Sequence, residues 1–171
     1  MKRALIVGVV GVISAAAIWA QWPTTPLPTG AIADRLVVLK AERRLELYDG
    51  PQLLRSYSVS LGREPVGPKQ QQGDKRTPEG AYHIDYRKPD SSYHRALHIS
   101  YPRSDQVAAA QTTGASPGDL IMIHGLPNGA GFIGRLHLLA DWTVGCIAVT
   151  NAEIEEIWRV VPDGTPIEIK P

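Results

Sequence analysis

Cysteine is almost absent from this chain of 171 residues, which contains a single one, Cys146. One cysteine excludes an internal disulfide, and with it the class of small secreted domains held together by disulfide bridges. The chain also lacks an excess of either charge, since 18 Lys and Arg residues balance 17 Asp and Glu residues. This balance removes the electrostatic reason to expect nucleic acid or a strongly acidic partner.

The first residues have the composition of a targeting segment. Lys2 and Arg3 supply a basic start, and residues 4–20 are uncharged and mostly apolar. That stretch is slightly shorter than the roughly 20 residues that span a bilayer. We therefore expect residues 1–21 to be a signal peptide or an N-terminal membrane anchor. Residues 22–33 are expected to form a Pro-rich linker, and residues 34–171 a single exported domain.

Glycine and proline are plentiful, with 16 and 14 residues, as is typical of short strands joined by turns. The pattern predicts a strand meander from residue 35, a long polar loop over 62–80, and strands over 81–86, over 120–124 ending on His124, and over 165–169. Helices are predicted over 105–113 and from Thr150, which has capping-box spacing with Glu153; the apolar face of the second helix is expected to carry Ile154, Ile157, Trp158 and Val161. The predicted fold is mainly β: a mixed, mostly antiparallel sandwich or barrel with one or two short helices.

An unpaired thiol in an exported protein points to chemistry at Cys146. The thiolate is the nucleophilic form, and a free thiol with a pKa near ~8.5 is only slightly ionised at neutral pH. His124 is the candidate base, because a carbonyl in the turn after it can hold one ring nitrogen while the other faces the sulfur. Gly145 permits a sharp turn, and the backbone N–H groups of Gly145 and Cys146 are candidates for an oxyanion hole. These residues predict an acyl-transfer site.

Other histidines allow a different chemistry. His94 and His98 are four residues apart, a spacing that suits a metal on a helix, but their segment is predicted to be a strand. His137 lies in an apolar run and is expected to be hydrogen-bonded. An exported metallohydrolase that uses these three histidines is therefore the weaker hypothesis, and we expect no metal site.

The same residues resemble a known family. His124 is followed by Gly125, and eighteen residues separate His124 from the motif Thr143-x-Gly145-Cys146; together they resemble the signature of L,D-transpeptidase catalytic domains of the YkuD type. The loop over residues 73–80 and the segment 100–102 are also similar to parts of these domains. The resemblance extends over roughly residues 35–169.

The resemblance implies a peptidoglycan enzyme of the periplasm or cell envelope that needs no cofactor. Cys146 would attack a meso-diaminopimelate carbonyl in a stem tetrapeptide, and the acyl group would pass to an amine or to water. His124 would be base and then acid, the Gly125 carbonyl would orient its ring, and the Gly145 backbone would bind the oxyanion. The residues expected to contact substrate are Tyr93, Ser100, Tyr101, Trp142 and Thr143.

Two positions depart from the family pattern. Val144 stands where most members have histidine, and Ala148 stands where they have arginine or asparagine. The variant resembles a branch that includes hydrolases releasing lipoprotein from peptidoglycan, so the alternatives are an L,D-carboxypeptidase, an endopeptidase or such an amidase. A peptidoglycan-linked lipoprotein is then a candidate partner. A non-catalytic module that binds the cell wall is a further alternative.

Overall fold

The computed structural model describes Trp19, Gln21 and residues 25–171, which form a curled mixed sheet of eight strands with three short helical segments. The strand order is β3-β2-β1-β8-β4-β5-β6-β7. The strands are β1 (Arg35–Leu39), β2 (Arg44–Asp49), β3 (Gln52–Ser58), β4 (Gly80–Ser91), β5 (His94–Ile99), β6 (Met122–His124), β7 (Ile147–Ala148) and β8 (Pro166–Lys170). The helical segments are α1 (Ser104–Thr112), a 3-10 segment (Gly131–Leu139) and α2 (Asn151–Val160). The predicted fold class is confirmed.

The sheet closes on itself beside Cys146. The chain just after β3 forms an antiparallel bridge between Ser60 and Ala148 of β7, and a parallel bridge between Gly62 and Thr143. Since β3 and β7 are the two ends of the strand order, these bridges join both edges of the curled sheet. Closure of this kind satisfies backbone groups that an open edge would leave unpaired.

Two strands differ from the predictions for a physical reason. β8 lies between β1, to which it is parallel, and β4, to which it is antiparallel. A parallel pairing of residues about 130 positions apart leaves no local turn signal, so the sequence predicted the strand but not its place. β4 continues to Ser91, beyond the predicted end at Tyr86, and its register with β5 shifts twice along the way.

Helix α2 begins and packs as the sequence pattern indicates. Thr150 accepts from the Glu153 N–H, and the Glu153 side chain accepts from the Thr150 N–H, which completes the predicted capping box. Ile154 and Ile157 are fully buried in the core. Trp158, expected in the same stripe, packs against this core but is only partly buried, and the guanidinium groups of two arginines lie over its ring.

The described part of the predicted linker is packed on the domain. Leu27 is buried in the core cluster, and its N–H donates to Glu156 Oε1 of α2 at 2.6 Å. Ala33 is fully buried, and its N–H donates to the Val160 carbonyl at 2.7 Å. Apart from Trp19 and Gln21, the predicted signal peptide or anchor lies outside the described residues. Within the described residues, no helix is long and apolar enough to cross a membrane.

Lys40 holds the long loop over residues 62–80 against the sheet. Its side chain is 2 % exposed, and Nζ donates to Gly67 O (2.7 Å), Thr77 O (3.1 Å) and Glu79 Oε1 (2.7 Å). A buried ammonium is tolerated only when such partners replace its hydration. The loop that the sequence predicts as polar is therefore attached to β1 through one buried cation.

We expect Lys40→Met to lower the free energy of unfolding by about 3–5 kcal/mol, because it leaves Glu79 and two carbonyls without their buried partner. Chemical denaturation measures the loss. The matched control is Lys170→Met, since the Lys170 side chain is exposed and forms only a surface pair with Glu168. The control should cost at most about 1 kcal/mol. Equal losses in the two variants would contradict the role given to Lys40.

Candidate active site

The turn that carries Cys146 depends on Thr143 and Gly145. Thr143 Oγ1 donates to the Cys146 carbonyl at 2.8 Å and accepts from the Gly145 N–H at 3.1 Å. Gly145 has φ of +137°, and a Cβ placed there would lie 2.7 Å from the Arg76 carbonyl oxygen. Only glycine fits both the backbone conformation and this close approach. The predicted sharp turn is present, and the long loop forms one of its walls.

The predicted oxyanion hole is altered by the same hydrogen bond. Because the Gly145 N–H already donates to Thr143 Oγ1, it is not free to receive a substrate oxyanion in this conformation. The backbone N–H of Cys146 is the remaining donor of the predicted pair. Gly145 therefore shapes the turn sterically, and an oxyanion role would require Thr143 to release it.

The Cys146 thiol is partly buried and in its neutral form at rest. Its Sγ lies 3.5 Å from the Leu120 carbonyl oxygen, to which the thiol donates. Burial raises the pKa of Cys146, while the backbone N–H of Met122 and the charge of Lys69 act in the opposite direction. The Leu120 backbone has φ of +56°, an uncommon value for a residue other than glycine. A base is needed to generate the thiolate.

His124 ends β6 and has its tautomer fixed by the backbone. Its Nδ1 lies 2.7 Å from the Gly125 carbonyl oxygen, and a carbonyl only accepts, so Nδ1 carries the proton and Nε2 the lone pair. Burial lowers the pKa of His124, and the hydrogen bond to Gly125 partly offsets this effect. The ring is therefore neutral near pH 7, in the form that accepts a proton. The Gly125 carbonyl makes the contact that the family resemblance implies.

Asn151, the first residue of α2, supports the turn after His124. Its Oδ1 accepts from the Leu126 N–H at 2.8 Å, and a Cβ at Gly125 would lie 2.8 Å from the same oxygen. The sequence predictions did not include Asn151. Its position directly after the helix cap Thr150, in the run that contains Cys146, was the available signal.

One cavity of about 660 Å³ brings together most of the residues predicted for the site. Tyr93 and Trp142 border the imidazole, with ring centroids 4.5 Å and 5.8 Å from that of His124. Val144, one of the two departures from the resembled pattern, is 65 % exposed at this cavity. The predicted residues that line it are Cys146, His124, Tyr93, Trp142 and Thr143.

Ser100 and Tyr101 are not brought to this cavity. Ser100 Oγ accepts from the His83 N–H at 3.0 Å, next to the start of β4. Tyr101 is 3 % exposed, and its hydroxyl donates to the Pro117 carbonyl at 2.9 Å. Both side chains connect elements of the fold instead of lining the cavity. Their predicted contact with substrate has no support from this geometry.

The histidines considered for a metal have other partners. His94 Nε2 lies 2.7 Å from Glu155 Oε1, and His98 Nδ1 lies 2.6 Å from Asp85 Oδ1. Within the part of the chain that the structure describes, no group of three or more His, Cys, Asp or Glu side chains could hold a metal ion. His137 is hydrogen-bonded, as the sequence predicts, through Nδ1 at 3.1 Å from Ser60 Oγ.

Comparison with known proteins agrees with the geometry. The family model of the YkuD L,D-transpeptidase catalytic domain matches residues 33–169. YafK of Escherichia coli (strain K12), whose L,D-transpeptidase name is provisional, is 35% identical over 130 residues, or 72% of this chain. That stretch is 45% of YafK, so the chain spans about half the length of this curated relative.

Solved structures share the fold at low identity. The helical cell shape determining protein Pgp2 from Campylobacter jejuni superposes with a TM-score of 0.61 and 23% identity, over 92% of this chain and 54% of that one. Bd1075 from Bdellovibrio bacteriovorus superposes with a TM-score of 0.54 and 23% identity, over 85% and 53%.

The buried neutral histidines predict an acid-sensitive fold. Burial, together with the nearby His124, lowers the pKa of His137 to about 4. Between the ordinary value of about 6.5 and pH 4, the unfolded chain binds a proton that the folded chain excludes, so the free energy of unfolding falls as pH falls. His137 alone should account for about 3 kcal/mol across this window. Denaturation at several pH values measures it, and His137→Leu should flatten the curve. Parallel curves would contradict this assignment.

Proposed function

Since the chain belongs to the L,D-transpeptidase catalytic domain family, we propose that it is a cysteine acyltransferase of the cell envelope. Its substrate is a peptidoglycan stem tetrapeptide that contains meso-diaminopimelate. One observation carries this proposal: the only thiol of the chain and a neutral imidazole with a fixed tautomer line the same cavity. A nucleophile and a base oriented by a third group are the parts that covalent acyl transfer requires.

The reaction begins with proton transfer from the Cys146 thiol to Nε2 of His124. The sulfur attacks the carbonyl carbon of the meso-diaminopimelate amide. The resulting oxyanion accepts a hydrogen bond from the backbone N–H of Cys146. The C–N bond then breaks, and D-alanine leaves with the proton that His124 returns. A thioester remains on Cys146. An amine or water attacks it, passes its proton to His124 and then to the sulfur, and restores the enzyme.

Hydrolysis is the second candidate, because the surroundings of Cys146 offer few polar groups for an acceptor. Val144 presents an isopropyl group at the cavity, and Ala148 is fully buried within β7. Water needs less positioning by side chains than a second stem peptide does. The other candidate acceptors of the acyl group are a second stem peptide, a D-amino acid and a lipoprotein lysine.

We expect Cys146→Ala to abolish turnover of defined disaccharide tetrapeptides while the thermal melting temperature stays at the parental value. His124→Ala should lower turnover by about 10²–10⁴-fold, the usual contribution of a general base. Mass spectrometry resolves cross-linked, trimmed and lipoprotein-released products, and so identifies the acceptor. His83→Gln is the matched control, because His83 is exposed and lies outside the cavity lining.

A carbapenem supplies an independent readout of the same thiol. It should add covalently to the parent and to His83→Gln, as a mass shift on Cys146, and leave Cys146→Ala unmodified. Undiminished muropeptide turnover by Cys146→Ala would end the proposal. Binding to sacculi without turnover or adduct would instead favour the non-catalytic wall-binding module.

Arg63 is a candidate anchor for a substrate carboxylate. It lines the cavity and donates through Nε to the Trp142 carbonyl at 3.1 Å. Among the described residues, its two terminal nitrogens have no acceptor within hydrogen-bond distance. Arg87 lines the same cavity but is occupied, since it bonds to Asp163 and to the carbonyls of Trp158 and Val161. Stem peptides carry free carboxylates, which a guanidinium binds in a bidentate manner.

We expect Arg63→Gln to raise the KM for the tetrapeptide by about 10–100-fold with little change in kcat. The reason is that the lost charge-assisted hydrogen bond stabilises the bound substrate and the transition state equally. Steady-state kinetics measure it. Arg135→Gln, outside the cavity, is the control. A tetrapeptide with an amidated terminal carboxylate should bind the parent and Arg63→Gln equally well if this carboxylate is the one bound. A KM unchanged in Arg63→Gln would contradict the assignment.

A further inference from the structure

A buried histidine next to the cavity has one nitrogen without a partner. His137, in the 3-10 segment, is 8 % exposed, and its Nε2 is buried with no hydrogen-bond partner among the described residues. An unsatisfied buried polar atom costs free energy, so a purely structural residue at this place would be expected to be apolar. The other ring nitrogen, Nδ1, lies 3.4 Å from Nε1 of Trp142.

The identity of the donor determines the tautomer of His137. The indole N–H of Trp142 can only donate, so Nδ1 of His137 accepts and the ring proton lies on Nε2. The Ser60 hydroxyl lies 3.0 Å from the His137 carbonyl oxygen and 3.1 Å from Nδ1, and in this tautomer both atoms are acceptors for its one proton. Ser60 thus fixes His137, and His137 holds the indole of Trp142. The neutral state that burial imposes on the ring is consistent with this arrangement.

Trp142 connects His137 to the proposed base. Its ring meets His137 at 90° with a centroid distance of 6.4 Å, and it meets His124 at 67° with a distance of 5.8 Å. Tyr93 lies against His124 at 4.5 Å, so the imidazole is bordered by two aromatic rings. Of these two rings, Trp142 is the one whose polar atom is hydrogen-bonded to a buried side chain.

The strand pairing brings Ser60 and His124 close together. Ser60 is paired with Ala148, and Ala148 is paired with His124 in the neighbouring ladder. Paired residues present their side chains on the same face, so these three positions form one row across the sheet. Ala148 contributes only a methyl group between the two polar side chains. His137 contacts the Ser60 end of this row, and Trp142 the His124 end.

We propose that His137 is a positioning residue for the His124–Cys146 pair. It accepts a hydrogen bond from the indole N–H of Trp142 and so fixes that ring, which packs beside His124 and orients it. The proposal rests on the proposed function, because it assigns His137 a part in the same acyl transfer. His137 does not touch the reacting atoms. Its effect passes through one hydrogen bond, and its removal should therefore have no consequence once Trp142 has lost the N–H.

A double-mutant cycle tests this dependence. His137→Leu removes the acceptor, His137→Gln offers an amide oxygen in its place, and Trp142→Phe removes the donor while keeping a ring. We expect His137→Leu to lower kcat about tenfold, with KM changed less than twofold, as for one lost hydrogen bond. His137→Gln should recover part of the rate. In the Trp142→Phe background, His137→Leu should cause no further loss.

Alkylation by iodoacetamide provides a readout that does not need the proposed substrate. Because the chain has a single cysteine, the rate at fixed pH reports Cys146 alone. The same non-additive pattern in this rate, with muropeptides left unchanged by the parent, would retain the positioning role and reject the proposed function. Additive losses in both assays, or a His137→Leu protein that reacts as the parent does, would overturn the inference. If His137→Leu does not fold, His137→Phe, which keeps a ring but has no acceptor, takes its place in the same cycle.

Discussion

The bridges between residues 60–62 and residues 143–148 are the constraint on which the rest of the structure depends. Without the Ser60–Ala148 and Gly62–Thr143 pairs, the sheet would end in two free edges, and the start of the long loop would have no fixed relation to the turn that carries Cys146. The bridges join the chain after β3 to its last third, and the pairing of β7 with β6 places the thiol beside a strand that ends on His124. The site is thus a property of sheet closure, and not of any one segment.

The two ionisable groups at this closure are neutral at rest for the same reason. Burial raises the pKa of Cys146 and lowers that of His124, so both shifts oppose an ion pair. A resting thiolate would, under the proposed function, be exposed to adventitious oxidation in the cell envelope, whereas a neutral thiol is less reactive. Under the proposed function, the nucleophile is formed only when substrate occupies the cavity and the proton has a place to go.

Local patterns predicted part of this site, and long-range packing supplied the rest. Cys146, His124 and Gly125 could be picked out as candidates because a lone thiol, a strand end and a glycine are each recognisable from a few neighbouring residues. His137 was identified only as a hydrogen-bonded residue, since its partner Ser60 is 77 positions away. Ser100 and Tyr101 were predicted to contact substrate, but their side chains bond within the fold and do not line the cavity, because residues near a motif in sequence need not face the same side of a sheet. The parallel insertion of β8 had no local signal either.

The glycines at the closure make two segments of the chain inseparable. A side chain at Gly62 would overlap the carbonyl oxygen of Lys75, and one at Gly145 would meet that of Arg76. The backbone of the loop over residues 62–80 and the backbone of the turn that carries Cys146 are therefore in direct contact. If only one of these two segments were exchanged between related domains, its backbone would no longer match the segment that it packs against. Recombination, natural or engineered, must carry both pieces together.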